Sequence, residues 1–598
     1  MRFSLLLSLT SLLSQTLAST TDEFDFVIIG GGNAGAVLAN RLTENPDYKV
    51  LLLEAGPSDL DFPVTDIPFI SPSLTPFTAL DWNYTTVPQP GLAGRSIPFP
   101  RGHGLGGSSL VNYLIYTRGS KDDFDRYAEV SDDPGWSWDS MQHYFYKNEN
   151  FTSPVEGADV LDRKVDVEIH SMTGMMPVSV SGSATPIDKR ILNAAAELGE
   201  FKFTREMNGG DVLGLGWIQL TTDGPKRSSV ASTYLGPKYR QRPNLQIIFG
   251  AQVSRVMQTG TENEEPAFRC VEYRLRLGGS LRYAAASKEV ISSAGTIGTP
   301  QILLNSGIGD SKTLTELGIE PLVHLPDVGE NLSDHPGVVN GWLVHPNTTY
   351  DDFARDPVTQ AEEISKWAET GKGFLVNTIS SHIAFMRLPD DNPLITTYGD
   401  SAAGPKSAHY EFLISNWLTV APSPETGHYL GIGTLVVSPT SRGSVKLRSA
   451  DPFAMPLIDP ALLKTPYDHA VMCEAIKAAQ RFVSASAWSD HVIGPANGLE
   501  HVHSDEDLDK YVAENAKTIF HPVGTASMSK RGEKTGVVDP DLKVKGVAGL
   551  RVVDASVLRA QEHFFLENGV DTSKRGDVTP RWSERPGKNN SWWRSGPE

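Results

Sequence analysis

The stretch that decides the fold is "FDFVIIGGGNAGAVLANRLTENPDYKVLLLEAG", residues 24–56. "FDFVIIG" is a near-continuous apolar run, the pattern of a parallel strand covered on both faces rather than one with a wet side. "NAGAVLANRLTEN" follows with helical spacing, and "YKVLLLEAG" is a second buried strand, so the segment predicts a βαβ unit. At the first strand–helix turn Gly30, Gly32 and Gly35 stand in G-x-G-x-x-G spacing. Gly30 suits the tight turn, and Gly32 lets backbone approach a pyrophosphate. Gly35 lets helix and strand pack closely, with the helix N-terminus facing the anion. Glu54 closes the second strand, where a carboxylate accepts hydrogen bonds from a ribose diol. Strand, glycines, helix and acid in this order predict dinucleotide binding.

Outside this unit, 598 residues allow two domains or one large discontinuous one. The chain is 39% hydrophobic and 21% charged, with 54 glycines and 40 prolines that predict many loops. A formal charge of −19 argues against a nucleic-acid or anionic-membrane surface. Residues 1–18 read as a secretory leader: Arg2, a short apolar core, then Thr16 and Ala18 before a cut. We see no other span, so a secreted, extracellular, monomeric protein is expected. Five N-x-S/T acceptors (Asn83, Asn150, Asn331, Asn347, Asn589) fit that route. Cys270 and Cys473 are free to pair or not in an oxidising compartment. No metal is expected.

A second glycine-rich stretch, "PRGHGLGGSSLVN" (100–112), separates FAD from NAD. FAD carries a larger ring system that needs anchoring along its length, and Ser108, Ser109 and Asn112 offer polar groups. With "GTIGTPQILLNSGIG" (295–309), "VGENLSDH" (328–335), "FHPVGTASM" (520–528) and "GLRVVDAS" (549–556), the chain resembles the glucose–methanol–choline (GMC) oxidoreductases, above all secreted fungal aryl-alcohol oxidases. These motifs span almost the whole chain in the family's order.

The resemblance implies an α/β fold: a Rossmann-like FAD-binding domain built from 22–60, 95–125, 220–335 and 518–566, and a substrate domain with a mostly antiparallel sheet covered by helices. Residues 61–94, 126–219 and 336–517 then form the substrate domain and lid loops. It further implies that Asn33, Ala34, Glu54 and Ala55 hold the ADP part and that Val253 contacts the adenine. Ser108 and Asn112 lie toward the flavin, and Asp554 with Ala555 lies by the phosphates and ribityl chain. Val111 stands where some members carry a flavin-linking histidine, so FAD is expected without a covalent bond. Among fifteen histidines, His521 matches the family's catalytic base; a neutral imidazole suits removal of a hydroxyl proton. Phe520 matches a channel aromatic of aryl-alcohol oxidases, and Leu92 in "QPGLAGR" falls where a second, a tyrosine, stands.

The expected activity is oxidation of a primary, aromatic or allylic alcohol to the aldehyde, with O2 reduced to H2O2. The alternatives are a dehydrogenase using a quinone-type acceptor, a tailoring oxidoreductase of secondary metabolism, or an inactive product altered at its C-terminal end. That last reading rests on the segment after Leu558. The family's second histidine position falls at Phe565, and His563 stands two residues early, which misplaces its ring by far more than catalysis tolerates. Arg559 replaces a family proline, and residues 567–598 have no helical period and read as disordered. So abrupt a switch points to a frame change or splice junction near codon 558, which sequencing the mature message decides.

Overall fold

The computed structural model describes residues 24–155, 165–275, 279–345 and 349–559. The leader, Asn347, His563, Phe565, Asn589 and the 567–598 tail lie outside the described residues.

Two sheets, each with its own core, organise the described chain. The first contains β1 (Phe24–Ile29), β2 (Val50–Leu53), β3 (Leu245–Ile248), β4 (Ala251–Glu262), β5 (Glu265–Leu275), β6 (Leu281–Ser292) and β7 (Leu550–Val552). Their order is β4–β5–β6–β1–β2–β3, with β7 also paired to β6. The strands β6, β1, β2, β3 and β7 are mutually parallel. The register sets Val27 opposite Leu51 on one side and Val290 on the other. Phe26–Ile29 and Val50–Leu53 are all buried, as apolar runs lacking a polar alternation require. Each such side chain contributes roughly 1.5–3 kcal/mol by leaving water. β6 serves two layers: its first half pairs antiparallel with β5, its second half parallel with β1. Helix α1 (Asn33–Leu42) crosses between β1 and β2 and ends where the Thr43 hydroxyl donates to Ala39 O at 2.7 Å.

The second sheet is antiparallel, in the order Val492–Ala496, Pro336–Val344, Tyr429–Val436, Tyr410–Ser415, His382–Met386, Gly214–Trp217. The two-residue strand Lys517–Thr518 extends it beside Pro336 and Gly337. Alternation splits its faces. Val338, Ile432, Val436, Phe412 and Ile414 pack with the buried stripe of one long helix, Pro466–Val483, at Val471, Ala475, Ile476, Ala479 and Phe482. Gly337, Val339, Gly433, Leu435, Leu413 and Ser415 face the other way, onto a cavity.

Part of the stretch read as substrate domain packs with the first sheet. Tyr127, Trp136, Trp138, Met141, Phe145 and Met176 pack into the core of the first sheet, although 126–219 reads as substrate domain. Their aromatic rings cluster edge-on around Phe124 and complete that core. Cys270 lies in β5 and Cys473 in the helix of the second core; both are free and buried, so no bridge joins the sheets. Among the described residues no helix is long and apolar enough to cross a membrane.

Candidate active site

The distant motifs are brought together by main-chain hydrogen bonds. Ser333 and Val523 exchange N–H···O bonds at 3.1 and 2.9 Å, stitching "VGENLSDH" to "FHPVGTASM". Ala526 N and Met528 N donate to Ser556 O and Val557 O at 2.8 Å, adding "GLRVVDAS". Thr296 Oγ1 donates to Pro522 O at 2.8 Å and ties in the helix α2 (Gly295–Asn305).

A long cleft runs along the ends of the parallel strands. It is lined by Gly30, Gly32, Asn33, Ala34, Glu54, Ala55, Ser108, Val253, Phe520, His521, Asp554 and Ala555 among others. Gly30 has φ +95°, and a Cβ there would lie 2.5 Å from Ser293 O. Gly35 does not line the cleft; a Cβ on it would sit 1.9 Å from Gly30 O, which is how closely α1 approaches β1. The second glycine loop lies directly on the first: a Cβ on Gly107, whose φ is +53°, would come 2.6 Å from Gly32 Cα.

Helix α1 starts at Gly32 with no side-chain cap and no acid in its first turn, so its N-terminal N–H groups and positive dipole end face the cleft uncompensated by side chains. Glu54, at the end of β2, accepts from Gly31 N and Gly56 N at 2.7 Å each. Burial pushes its carboxyl up to about 7, against the lowering effect of those N–H groups. Uncapped N–H groups, two glycine loops and a terminal carboxylate fit a dinucleotide of the FAD type.

Asp554 has a role the sequence did not disclose. Its Oδ2 accepts from Gly295 N at 2.9 Å and Thr299 Oγ1 at 2.6 Å, so it closes the N-terminus of α2 while lining the cleft.

A second cavity lies between the glycine loop 100–112 and the inner face of the antiparallel sheet. Arg101, Gly102, Ser108, Phe520 and His521 line both cavities and form the wall between them. Asn112 and Val111 line only the second; Arg227 Nη1 donates to Asn112 Oδ1 at 2.8 Å. Ser109 points inward, its Oγ donating to Gly106 O at 2.7 Å.

The structure corrects the placement of Leu92. It lines neither cavity and is fully buried in the core of the second sheet with Ile97, Leu462 and Leu463. An apolar leucine at the aromatic's position sinks into that core rather than edging a channel.

His521 is fixed from several sides. Its N–H donates to Asp334 Oδ1 at 2.9 Å, and Asp334 also accepts from His335 N at 2.9 Å. Burial pushes the Asp334 carboxyl up to about 7. Its Nδ1 lies 3.1 Å from His335 Nδ1, the two rings edge-on. One Nδ1 must carry the proton that the other accepts, so the rings are complementary tautomers. Phe520 has φ +74°, a strained value for a bulky residue. It is held there by Thr518 Oγ1, which accepts from Phe520 N at 2.8 Å, and by Arg101, whose Nη1 donates to Phe520 O. Arg101 Nη2 donates to Ser108 Oγ at 2.6 Å. Arg101, Asp334 and His335 stand inside the quoted motifs, but only the tertiary contacts bring them to His521 and Phe520.

Burial, reinforced by the Arg101 guanidinium, lowers His521 to about 3 from the usual 6.5. If this imidazole accepts the proton of a substrate, protonation removes the base, and the acid limb of kcat/KM is expected far below 6.5. In Arg101→Met one of the two lowering causes is gone, so the limb moves up. A pH–rate profile checks this; an unmoved limb would mean that the guanidinium does not act on this ring.

Of the predicted glycosylation sites, Asn83 is exposed at φ +57° and Asn150 is half-buried in a short strand. The Asn331 amide nitrogen, where a sugar would attach, instead donates to Ser527 Oγ at 3.1 Å and Arg559 O at 2.8 Å.

The GMC oxidoreductase family models match residues 24–337 and 439–561. The chain is 38% identical over 558 residues to the dehydrogenase eriK of Hericium erinaceus, covering 91% of each. It is 38% identical over 552 residues to pyranose dehydrogenase 3 of Leucoagaricus meleagris, covering 90% of this chain and 89% of that protein. A solved fungal aryl-alcohol oxidase superposes with a TM-score of 0.78 at 26% identity, covering 94% of this chain and 99% of that one.

Proposed function

The chain belongs to the GMC oxidoreductase family and is an FAD-dependent enzyme acting on CH–OH donors, and from that premise we propose that it oxidises a small alcohol or sugar to the carbonyl compound with His521 as the base. The observation that carries this reading is that His521 stands in the wall shared by the dinucleotide cleft and the second cavity. When bound, FAD supplies the hydride acceptor.

The chain's own residues do the rest. Gly30, Gly32 and the N-terminus of α1 would hold the pyrophosphate, and Glu54 and Val253 the adenosine end. Val111 offers no nucleophile for a covalent link to the flavin. The substrate hydroxyl loses its proton to His521 Nε2, while Nδ1–H donates to His335. That assignment requires His335 to carry its own proton on Nε2. Val339, Leu413, Leu435, Ile115 and Phe520 make the second cavity largely apolar and keep water from the reacting carbon. Hydride and proton leave the same CH–OH unit, and the carbonyl remains.

A specific observation favours a sugar or polyol over a plain benzylic alcohol. Lys517 lines the second cavity, and its pairing with Gly337 puts its side chain on the cavity face of the sheet. Burial lowers its pKa, and no carboxylate contributes to hold the ammonium charged. An amine in that position suits donation to substrate hydroxyls, as the likeness to pyranose dehydrogenases also suggests. Lys517→Met is then expected to raise KM for sugars about two- to tenfold, the worth of one lost neutral hydrogen bond, with benzylic alcohols little changed. Equal effects on both classes would reject this reading.

With O2 as second substrate the products include H2O2; with a quinone-type acceptor they do not, and the dehydrogenase names of the relatives favour the latter. Anaerobic mixing of the flavin-loaded protein with pyranoses, allylic and benzylic alcohols tests the function: loss of flavin absorbance with at least one class is expected, and none with any class would refute it. We read the chain as exported, on its leader-like first residues, which N-terminal sequencing of culture-filtrate protein tests: mature chains beginning after residue 18 are expected, and protein retained in cells with Met1 intact would refute it.

A further inference from the structure

On the outer side of the second sheet, two helices meet over a surface depression that shares no lining residue with either cavity around His521. Pro466–Val483 is α3, and its neighbour is the helix Asp505–Asn515. His469 and Cys473 stand one turn apart on α3, and Asp509 faces them from the neighbour. Their donor atoms form a nearly equilateral triangle. Cys473 Sγ lies 3.8 Å from His469 Nδ1 and 3.7 Å from Asp509 Oδ1, and His469 Nδ1 lies 3.6 Å from Asp509 Oδ1.

The two sulfur contacts lie at the long end of hydrogen-bond reach, and all three distances also suit donors sharing a cation. Tetrahedral bonds of about 2.3 Å to sulfur and about 2.0–2.2 Å to nitrogen or oxygen set donors roughly 3.3–3.6 Å apart. The triangle needs to contract by only about 0.2–0.3 Å to meet that geometry. A proton relay is the competing reading, and the ring argues against it. A nucleophile and an orienting acid must use opposite nitrogens of the imidazole, whereas here thiol and carboxylate both converge on Nδ1.

We propose that His469, Cys473 and Asp509 form a binding site for a divalent cation of the zinc class, with three protein donors and the remaining position open to water. A thiolate and an imidazole select zinc-like ions over calcium or magnesium, which prefer all-oxygen sites. The depth is graded: Cys473 forms the buried floor, His469 is 26% exposed and Asp509, at the rim, 62% exposed. Asp505 and Glu474 also line the depression, so three carboxylates face one ammonium, Lys477. That ammonium is engaged by Asp505 at 2.8 Å and Glu474 at 3.9 Å. The surroundings favour added positive charge. The ion would clamp the helix Asp505–Asn515 to α3, which covers the second sheet.

The test uses the full-length, flavin-loaded protein, freed of metal by a chelator and titrated with Zn2+ and separately with Co2+. One Zn2+ per chain is expected, with affinity falling about tenfold or more in Cys473→Ser, His469→Ala and Asp509→Asn; even outer partners of a metal site are worth that much. Co2+ should give a thiolate-to-cobalt charge-transfer band that Cys473→Ser abolishes. Flavin bleaching by substrate should be unchanged in all three variants. Should Cys473→Ser fail to fold, the half-exposed His469 and the rim residue Asp509 carry the same comparison. Affinity indifferent to these substitutions, or a cobalt complex without the thiolate band, would overturn the proposal.

Discussion

His521→Gln is expected to lower kcat about 10²–10⁴-fold while the protein stays yellow. Glutamine approximates the imidazole in size and keeps polar contacts, yet it cannot take a proton near neutral pH. The ring's place is fixed through main-chain contacts, His521 N to Asp334 and Thr518 Oγ1 to Phe520 N, which the substitution leaves in being. Cofactor retention should therefore survive, and the loss should appear in the rate of anaerobic flavin bleaching rather than in flavin content. A decrease below tenfold would move the proton-accepting role elsewhere, with His335, at 3.1 Å, the first residue to examine.

Gly35→Ala is expected to destroy cofactor binding altogether. The added methyl would stand 1.9 Å from Gly30 O and 3.3 Å from Ile28 Cγ2, so α1 must move off β1. That displacement opens the turn at Gly30 and re-aims the helix N-terminus that faces the cleft. Overpacking of this kind costs roughly 3 kcal/mol or more where backbone, not a flexible side chain, is in the way. Gly94→Ala is the contrast: φ is +76°, but a Cβ there meets nothing within 4 Å. Strain alone then costs about 1 kcal/mol. Purified Gly35→Ala protein should be colourless with a lowered melting temperature, and Gly94→Ala yellow. A yellow Gly35→Ala protein would show that the helix–strand contact does not govern the cleft.

Much of this could be read from the chain because its signals are local. Val27–Ile29 and Val50–Leu53 announce parallel strands by apolar continuity, and the three glycines announce what the turn between them must accommodate. His521 stands out in the sequence through its neighbours in "FHPVGTASM". The residues that escaped act across distance: Arg101 reaches the Phe520 carbonyl from the far glycine loop, and Asp334 gathers residues 335, 518 and 521. No periodicity records such contacts. Leu92 fails for a related reason, since a leucine sunk in a core and one edging a channel look alike in sequence. Lys517 became informative only when the register placed it beside Gly337. The donor triangle on the outer helices joins residues from two helices, with His469 and Cys473 spaced like any pair one turn apart.

On the proposed function, the cleft along the parallel strands holds FAD with its adenosine end at Glu54 and its ring against His521. A crystal structure of the flavin-loaded protein tests it most directly. The pyrophosphate is expected over Gly30 and Gly32 at the start of α1, and the isoalloxazine against the wall formed by Ser108, Phe520 and His521. A ring bound away from His521, or a glycine turn without phosphate in a protein that still oxidises alcohols, would contradict it.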